Sequence, residues 1–93
     1  MRVRWVRAAL ADLHQAHAYI AADNPAAARR LVLRVQETVA RLSSLPNLGR
    51  PGRVDGTREL TIANTRFFVV YRAVQSDVDI LRVLHTARRW PDA

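Results

Sequence analysis

The chain has 93 residues, enough for one small domain with a single hydrophobic core, and we predict one domain over residues 1–93. It contains no cysteine, which excludes a disulfide framework, a thiolate zinc site and a cysteine nucleophile. The formal net charge is +7 and all 15 basic residues are arginine, so we expect an acidic partner, either a nucleic acid or an acidic protein.

The first elements along the chain are a short strand and a helix. Val3 and Trp5 alternate with arginines, the period of two that is typical of a strand with one buried face. Apolar residues then recur every three or four positions, which predicts an amphipathic helix ending near Ala22, with its stripe at Val6, Leu10, Leu13, Ala16 or His17, and Ile20. Charged residues interrupt this stretch, so we expect no signal peptide and no membrane span, and a cytoplasmic protein.

A second helix is predicted to begin at Asn24-Pro25. An asparagine side chain can accept a free amide of the first turn, and proline at the first helical position loses no hydrogen bond. The helix continues for about twenty residues, with one apolar face at Ala28, Leu31, Val32, Val35, Val39 and Leu42. The short loop between the helices predicts a helical hairpin. Residues 44–56 are rich in proline and glycine and predict an irregular crossover.

Three strands are predicted after the crossover, at residues 58–62, 66–73 and 78–86, because these segments are rich in β-branched and aromatic residues. The connections between them are short, which predicts an antiparallel meander. We expect the N-terminal strand to complete the sheet. The fold class is therefore α+β, with the helical hairpin packed on one face of the sheet.

Strand alternation predicts the character of the face that the helices leave open. It assigns to that face Glu59, Thr61, Arg66, Phe68, Val70, Arg72, Ile80, Arg82 and Leu84. Such a surface is half apolar and rimmed by arginine. Since monomers seldom expose large apolar patches, we expect a partner to cover it.

The histidines and the C-terminal stretch are the remaining candidates for chemistry. Alternation places His85 with Leu81 and Val83, which favours a histidine anchored at the rim of the core over an acid or base beside the arginines. Arg88, Arg89 and Trp90 follow the last strand and could contact a target, or Trp90 could fold back as a plug. The other two histidines lie three residues apart without a third ligand, so we expect no metal and no cofactor.

Several stretches together resemble the RelE/ParE superfamily of toxins from bacterial type II toxin–antitoxin systems. They are W-x4-L-x2-L at 5–13, AYIAADNPAAA at 18–28, LPNLGRPGRVDGTREL at 45–60, FFVVYR at 67–72 and ILRVLHTARRWP at 80–91. The resemblance implies the strand, helical hairpin and meander derived above. It also implies growth inhibition that is neutralised by an acidic, partly disordered cognate antitoxin, which would wrap the toxin in a hetero-oligomer. We assign the antitoxin surface to Arg66, Phe68, Val70, Arg72, Ile80 and Arg82.

The two branches of this superfamily differ in their targets. In the RelE-like branch, which cleaves mRNA on the ribosome, cations line the open sheet face; here Phe68 stands where those proteins carry an arginine, and Glu59 and Thr61 where they carry lysines. The resemblance therefore favours the ParE-like branch, which implies poisoning of DNA gyrase without chemistry, and we assign target binding to Arg88, Arg89 and Trp90. One alternative is a ribosome-dependent mRNA endoribonuclease using Arg88, His85 and Arg82; another is a basic binding module without toxicity.

Overall fold

The structure, a computed structural model, describes residues 1–91. Its elements are β1 Arg2–Trp5, α1 Arg7–Ala21, α2 Pro25–Ser44, β2 Arg50–Pro51, β3 Arg58–Thr61, β4 Phe67–Val74 and β5 Asp77–His85. The predicted order of strand, two helices and meander is confirmed, and the predicted crossover contains one further short strand, β2. The prediction of one domain also covers residues 92 and 93, which lie outside the described residues.

Within residues 1–91, five strands form one sheet in the order β1-β5-β4-β3-β2. The pairs β3–β4 and β4–β5 are antiparallel, as the short connections predict, and β2 adds antiparallel to β3. β1 pairs parallel with β5, with Val3 opposite Val78 and Trp5 opposite Ile80. The first strand therefore lies beside the last, and the hairpin of α1 and α2 connects β1 to the far edge of the sheet.

Helix α2 begins as its sequence predicts. The Asn24 side-chain oxygen accepts a hydrogen bond of 3.0 Å from the Ala27 amide, and Pro25 occupies the first helical position. The apolar residues of α2 that are buried against the sheet recur at helical spacing and are Ala28, Leu31, Val35, Val39 and Leu42. This spacing places one face of α2 on the sheet along most of its length.

Helix α1 is rotated from the predicted stripe. Ala9 is fully buried, whereas Leu10, which the pattern assigned to the core, is 43% exposed. The rotation also buries Asp12, a residue that a purely apolar stripe would leave in water. The reason is electrostatic: the Asp12 carboxylate accepts hydrogen bonds from Arg82 and the Val83 amide of β5.

Two apolar clusters lie on opposite faces of the sheet. The larger one joins the helices to the sheet and contains Leu31, Val35, Leu42, Val69, Tyr71, Val78, Ile80 and Val83. The smaller one lies on the face away from the helices, here called the second face, and contains Phe68, Val70 and Leu84 with Leu81 and Trp90 packed against it. The alternation predicted for β4 is therefore confirmed, with both helices on one face.

The alternation predicted for β5 is wrong before Arg82. The register between β4 and β5 shifts, because Val70 pairs with Arg82 while the next residue, Tyr71, pairs with Ile80. Leu81 is skipped and has no partner, which is the signature of a β-bulge. The bulge exchanges the faces of the preceding residues, so Ile80 lies in the helix-side core and is fully buried, and the antitoxin contact predicted for it on the open face is contradicted by its position.

Tyr71 fixes the crossover between the hairpin and the meander. Its fully buried hydroxyl accepts a hydrogen bond from the Gly49 amide at 2.8 Å and donates one to the Pro46 carbonyl at 2.7 Å. Glycine is required at position 49 because an added Cβ would lie 2.8 Å from the Tyr71 ring and 2.8 Å from the Glu59 carbonyl oxygen. A single side chain of β4 thus holds the segment that leads into β2.

Candidate functional site

A buried carboxylate lies on the second face. The Glu59 side chain is 1% exposed and faces two arginines, with Oε1 3.3 Å from Arg50 Nη2 and 3.6 Å from Arg53 Nε. Its Oε2 accepts a hydrogen bond of 3.0 Å from the Arg53 amide. Glu59 pairs with Val70 across the ladder, so the negative charge lies beside the second-face cluster and is neutralised by Arg50 of β2 and Arg53 of the following loop.

Arg53 extends from this carboxylate to the C-terminal segment, defined here as residues 86–91. Its guanidinium carbon is 5.5 Å from the centre of the Phe68 ring, and its Nη1 donates a hydrogen bond of 3.1 Å to the Trp90 carbonyl. Trp90 itself packs against the second-face cluster. As a result Phe68 is 5% exposed and Val70 is fully buried, so the prediction of an uncovered apolar face is wrong: the chain covers that patch with its own Arg53 and Trp90.

Arg82 is held by helix α1. Its Nε and Nη2 donate to the two Asp12 carboxylate oxygens at 2.7 and 2.9 Å, a bidentate pair, and the same carboxylate accepts from the Val83 amide at 3.0 Å. The pairing of β1 with β5 ends at Trp5 opposite Ile80, so that amide lies beyond the ladder and Asp12 satisfies it. The guanidinium also lies 5.5 Å from the centre of the Trp90 ring, which connects α1, β5 and the C-terminal segment.

Arg72 is part of an ion cluster on the same face. Asp79 accepts hydrogen bonds from Arg4 Nε at 2.8 Å and from Arg72 Nη2 at 3.2 Å. The hydrogen bond from Arg4 is the largest cause that lowers the pKa of Asp79 below its ordinary value, while burial of the carboxyl acts in the opposite direction. The same contact raises the pKa of Arg4. Arg72 is therefore on the predicted face, but as the partner of a buried carboxylate.

Arg66 lies apart from this face. It precedes β4 and follows a turn in which Asn64 has a φ of 63°, so strand alternation does not extend to it. Arg66 instead lines a cavity of about 470 Å³ on the helix side, together with Tyr19, Ile20, Ala27, Arg30, Leu31, Arg34, Asn64, Thr65, Phe67 and His85. This cavity is called the hairpin pocket below. The prediction that Arg66 lies on the second face is therefore wrong.

His85 lies at the rim of the helix-side core, as the sequence favours. Its ring contacts Phe67 edge to face with ring centres 5.3 Å apart, and its Nδ1 accepts a hydrogen bond of 3.0 Å from the Ala87 amide. Arg82 and His85 lie on opposite faces, because Arg82 is opposite Val70 and His85 is opposite Phe67. The residues assigned to the ribonuclease alternative are therefore not gathered on one face. His14 and His17 are both exposed on α1.

The residues assigned to target binding stand on the C-terminal segment. Arg88 and Arg89 are exposed, and the Arg88 amide donates to the His85 carbonyl at 2.9 Å in the turn after β5. Trp90 is partly buried, and its indole Nε1 is enclosed without a hydrogen-bond partner among residues 1–91. Trp90 folds back on the second-face cluster, as the alternative in the sequence analysis has it. The side chains of Arg88 and Arg89 are exposed.

Sequence reasoning placed Glu59 on this face but did not foresee that buried carboxylates organise these arginines. Asp12, Glu59 and Asp79 are all buried, and each bonds an arginine distant in sequence or on a neighbouring strand. Periodicity gave no signal for Asp12, because the predicted stripe of α1 leaves that position in water. Over the described part of the chain, no three His, Cys, Asp or Glu side chains are grouped to hold a metal ion. Within the same residues no helix is both long and apolar enough to cross a membrane.

Comparison with known proteins gives a consistent family. The family described as the ParE toxin of the type II toxin–antitoxin system parDE matches residues 3–90. The chain is 43% identical over 90 residues to "Putative toxin Y4kP" of Sinorhizobium fredii, an alignment that covers 97% of this chain and 93% of that protein. It is 33% identical over 87 residues to toxin RelE2 of Caulobacter vibrioides, covering 94% of this chain and 97% of the relative.

Solved structures agree with this result. A chain of the chromosomal ParDE toxin–antitoxin system from P. aeruginosa superposes with a TM-score of 0.82 at 30% identity, covering 91% of this chain and 95% of that one. The YoeB/ParE toxin from Agrobacterium tumefaciens has the same fold, with a TM-score of 0.65 at 15% identity over 91% of this chain and 98% of that one. Strand, hairpin, meander and sequence thus all match one group, and the chain belongs to the ParE toxin family of type II toxin–antitoxin systems.

Proposed function

We propose that this toxin arrests growth in the cytoplasm by binding DNA gyrase, with no chemical step of its own, and that an acidic cognate antitoxin neutralises it. The observation that carries the proposal is the buried Glu59 carboxylate on the second face. Phosphodiester cleavage requires preorganised cations around the developing negative charge. Here Glu59 already pairs with Arg50 and Arg53, so these two cations are not available to stabilise a phosphate.

The arginines of the second face support the same proposal. Arg53, Arg72 and Arg82 each contact a buried carboxylate, so much of their charge is already neutralised within the chain. A candidate general base must reach the reacting proton beside those cations. His85 is on the opposite face from Arg82, and its Nδ1 already accepts an amide hydrogen, so it is poorly placed for that role.

Target binding is assigned to the C-terminal segment. Arg88 and Arg89 are exposed and stand between β5 and Trp90, which is held by Arg53 and Arg82. Because the segment is anchored at both ends, its backbone loses little conformational entropy when the two arginines bind. This favours contact with an acidic protein surface. Trp90 would contribute the exposed part of its ring.

Antitoxin binding remains assigned to Arg66, Phe68, Val70, Arg72 and Arg82. The Arg72 side chain is 49% exposed and can meet an acidic segment directly. Phe68 and Val70 are covered by Arg53 and Trp90, so contact with them requires that the C-terminal segment move. The antitoxin would then compete with the chain's own tryptophan for the second face, within a toxin–antitoxin hetero-oligomer.

The test is induction of the toxin in cells that lack the antitoxin, followed by two assays on purified protein. We expect growth arrest, inhibition of supercoiling by gyrase and unaffected cell-free translation. The double variant Arg88→Ala/Arg89→Ala should lose most of the supercoiling inhibition. Arg7→Ala/Arg29→Ala removes the same charge from exposed helix positions and should retain it.

Three results would contradict the proposal. Inhibition of translation with normal supercoiling would identify the ribonuclease alternative instead. Equal losses in both double variants would mean that net charge, and not the C-terminal segment, is responsible. Normal growth with abundant folded protein would identify a binding module without toxicity.

A further inference from the structure

The hairpin pocket has an apolar floor and a basic rim. Ile20, Leu31 and Phe67, which pack in or against the helix-side core, form part of its lining. Its volume of about 470 Å³ falls within the range of about 300–1,000 Å³ that is usual for ligand pockets. The pocket opens beside Tyr19, whose 83% exposure is unusual for an aromatic residue.

Among the described residues, the positive charge around this floor is compensated only by one exposed ion pair. Of the residues that line the pocket, three are arginines and none is acidic. Within residues 1–91, no hydrogen bond or ion pair engages the side chain of Arg30 or Arg66. Arg34 makes one contact, 3.5 Å from Glu37, and both partners are well exposed, so water screens that pair strongly. On the second face, by contrast, buried carboxylates pair with Arg53, Arg72 and Arg82.

Two classes of macromolecule carry enough negative charge for such a rim. A nucleic acid backbone would satisfy the arginines but would leave the apolar floor in water, because a phosphate cannot enter it favourably. A peptide with one bulky apolar side chain between carboxylates satisfies both parts, since the side chain fills the floor while the carboxylates meet Arg30 and Arg66. Exposed Tyr19 at the mouth adds the kind of aromatic contact that protein interfaces favour.

We propose that the hairpin pocket binds an acidic segment of the antitoxin that inserts one bulky apolar side chain between Arg30, Arg34 and Arg66. The identity of the partner rests on the proposed function; the chemistry of the segment follows from the pocket alone. The pocket lies on the helix side, so this anchor is separate from contacts on the second face. A single antitoxin chain that reaches both sites would hold the toxin from two sides.

The first test uses a fluorescein-labelled synthetic peptide of glutamate and glycine around one central phenylalanine, with binding followed by fluorescence anisotropy. Exchanging the central phenylalanine for serine should weaken binding about tenfold, because the floor is then unfilled. Arg30→Glu/Arg66→Glu should weaken binding of the original peptide about tenfold or more. Arg7→Glu/Arg29→Glu has the same net charge on exposed positions outside the pocket and should weaken it less than about threefold.

The alternatives give different results. If the two charge-reversal variants lose the same peptide affinity, the net charge of the protein and not the pocket explains binding, and the proposal is overturned. Indifference to the serine exchange would show that the apolar floor is unused and would also overturn it. Displacement of the peptide by a single-stranded RNA oligonucleotide, in a manner that depends on Arg30 and Arg66, would assign the pocket to nucleic acid.

The second test uses the full toxin and its antitoxin in cells. Arg30→Glu/Arg66→Glu should arrest growth even when the antitoxin is co-expressed, whereas the control variant should be neutralised. Both arginines are exposed, so far-UV circular dichroism and the unfolding midpoint should match those of the parent protein. Absence of any growth arrest would refute the proposed function but leave the peptide assay valid. If both variants arrest growth and the antitoxin still neutralises both, only the proposal for the pocket is refuted.

Discussion

The Tyr71 hydroxyl is the most informative single group for testing how the crossover is held. Tyr71→Phe keeps the ring and removes one oxygen that bonds the Gly49 amide at 2.8 Å and the Pro46 carbonyl at 2.7 Å. Gly49 is buried and Pro46 is half-buried, so water replaces the lost partner poorly at the amide and better at the carbonyl. A buried polar group without a partner costs about 1–3 kcal/mol, and two groups of unequal burial give a loss of about 2–4 kcal/mol.

The assay is urea unfolding at neutral pH, followed by tryptophan fluorescence, with the free energy of unfolding obtained by linear extrapolation. The midpoint should fall while the slope with urea stays constant, because the folded surface is unchanged. Tyr19→Phe is the matched control: the ring is 83% exposed, so its hydroxyl bonds water and the change should be below about 0.5 kcal/mol. A loss for Tyr71→Phe below about 0.5 kcal/mol would refute the reasoning, since it would mean that the crossover does not depend on this hydroxyl.

Three further changes test the electrostatic and capping contacts. The pKa of Asp79 is lowered in the folded state, so its contribution to stability is complete at neutral pH and is lost as the pH falls below about 4. The difference in unfolding free energy between the parent protein and Asp79→Asn should therefore shrink as the pH falls through that range. A difference that stays constant with pH would contradict the assignment. Asp12→Asn should cost about 2–4 kcal/mol in urea unfolding because Arg82 loses a charged partner, whereas Asp55→Asn on the exposed loop should cost less than about 0.5 kcal/mol. Asn24→Ala should cost about 1 kcal/mol by removing the helix cap and Asn24→Asp should restore it, so equal stability of the two variants would argue against capping.

Local signals in the sequence were sufficient for most of the architecture. Asn24-Pro25 marks a helix start through contacts within one turn, and alternation along β4 correctly separates Phe68 from Val69. These patterns succeed because the partners are close in sequence or because one face of a strand is uniformly apolar. The same reasoning gave the order of elements, while the family came from the resemblance of several stretches to known toxins.

The failures have non-local causes. The bulge that skips Leu81 depends on how β4 and β5 pair, and nothing in the single strand announces it. Asp12 is buried because Arg82 and the Val83 amide, about seventy residues later, require its oxygens. The second face was expected to be open because its cover comes from Trp90, a residue beyond the last strand. The contacts of Asp12 and Trp90 join segments far apart in sequence, whereas the bulge arises between two neighbouring strands and depends on their register.

The position of β5 between β1 and β4 makes folding of the sheet depend on a strand that is synthesised late. β5 is the neighbour of both β1 and β4, with Val78 opposite Val3, and it is the last strand within residues 1–91. A nascent chain that ends before residue 77 has β1 without its partner and the helix-side core without Val78, Ile80 and Val83. Contacts of such long sequence separation form late. The parallel pair with β1 and the helix-side core therefore form only after residues 77–85 have been synthesised.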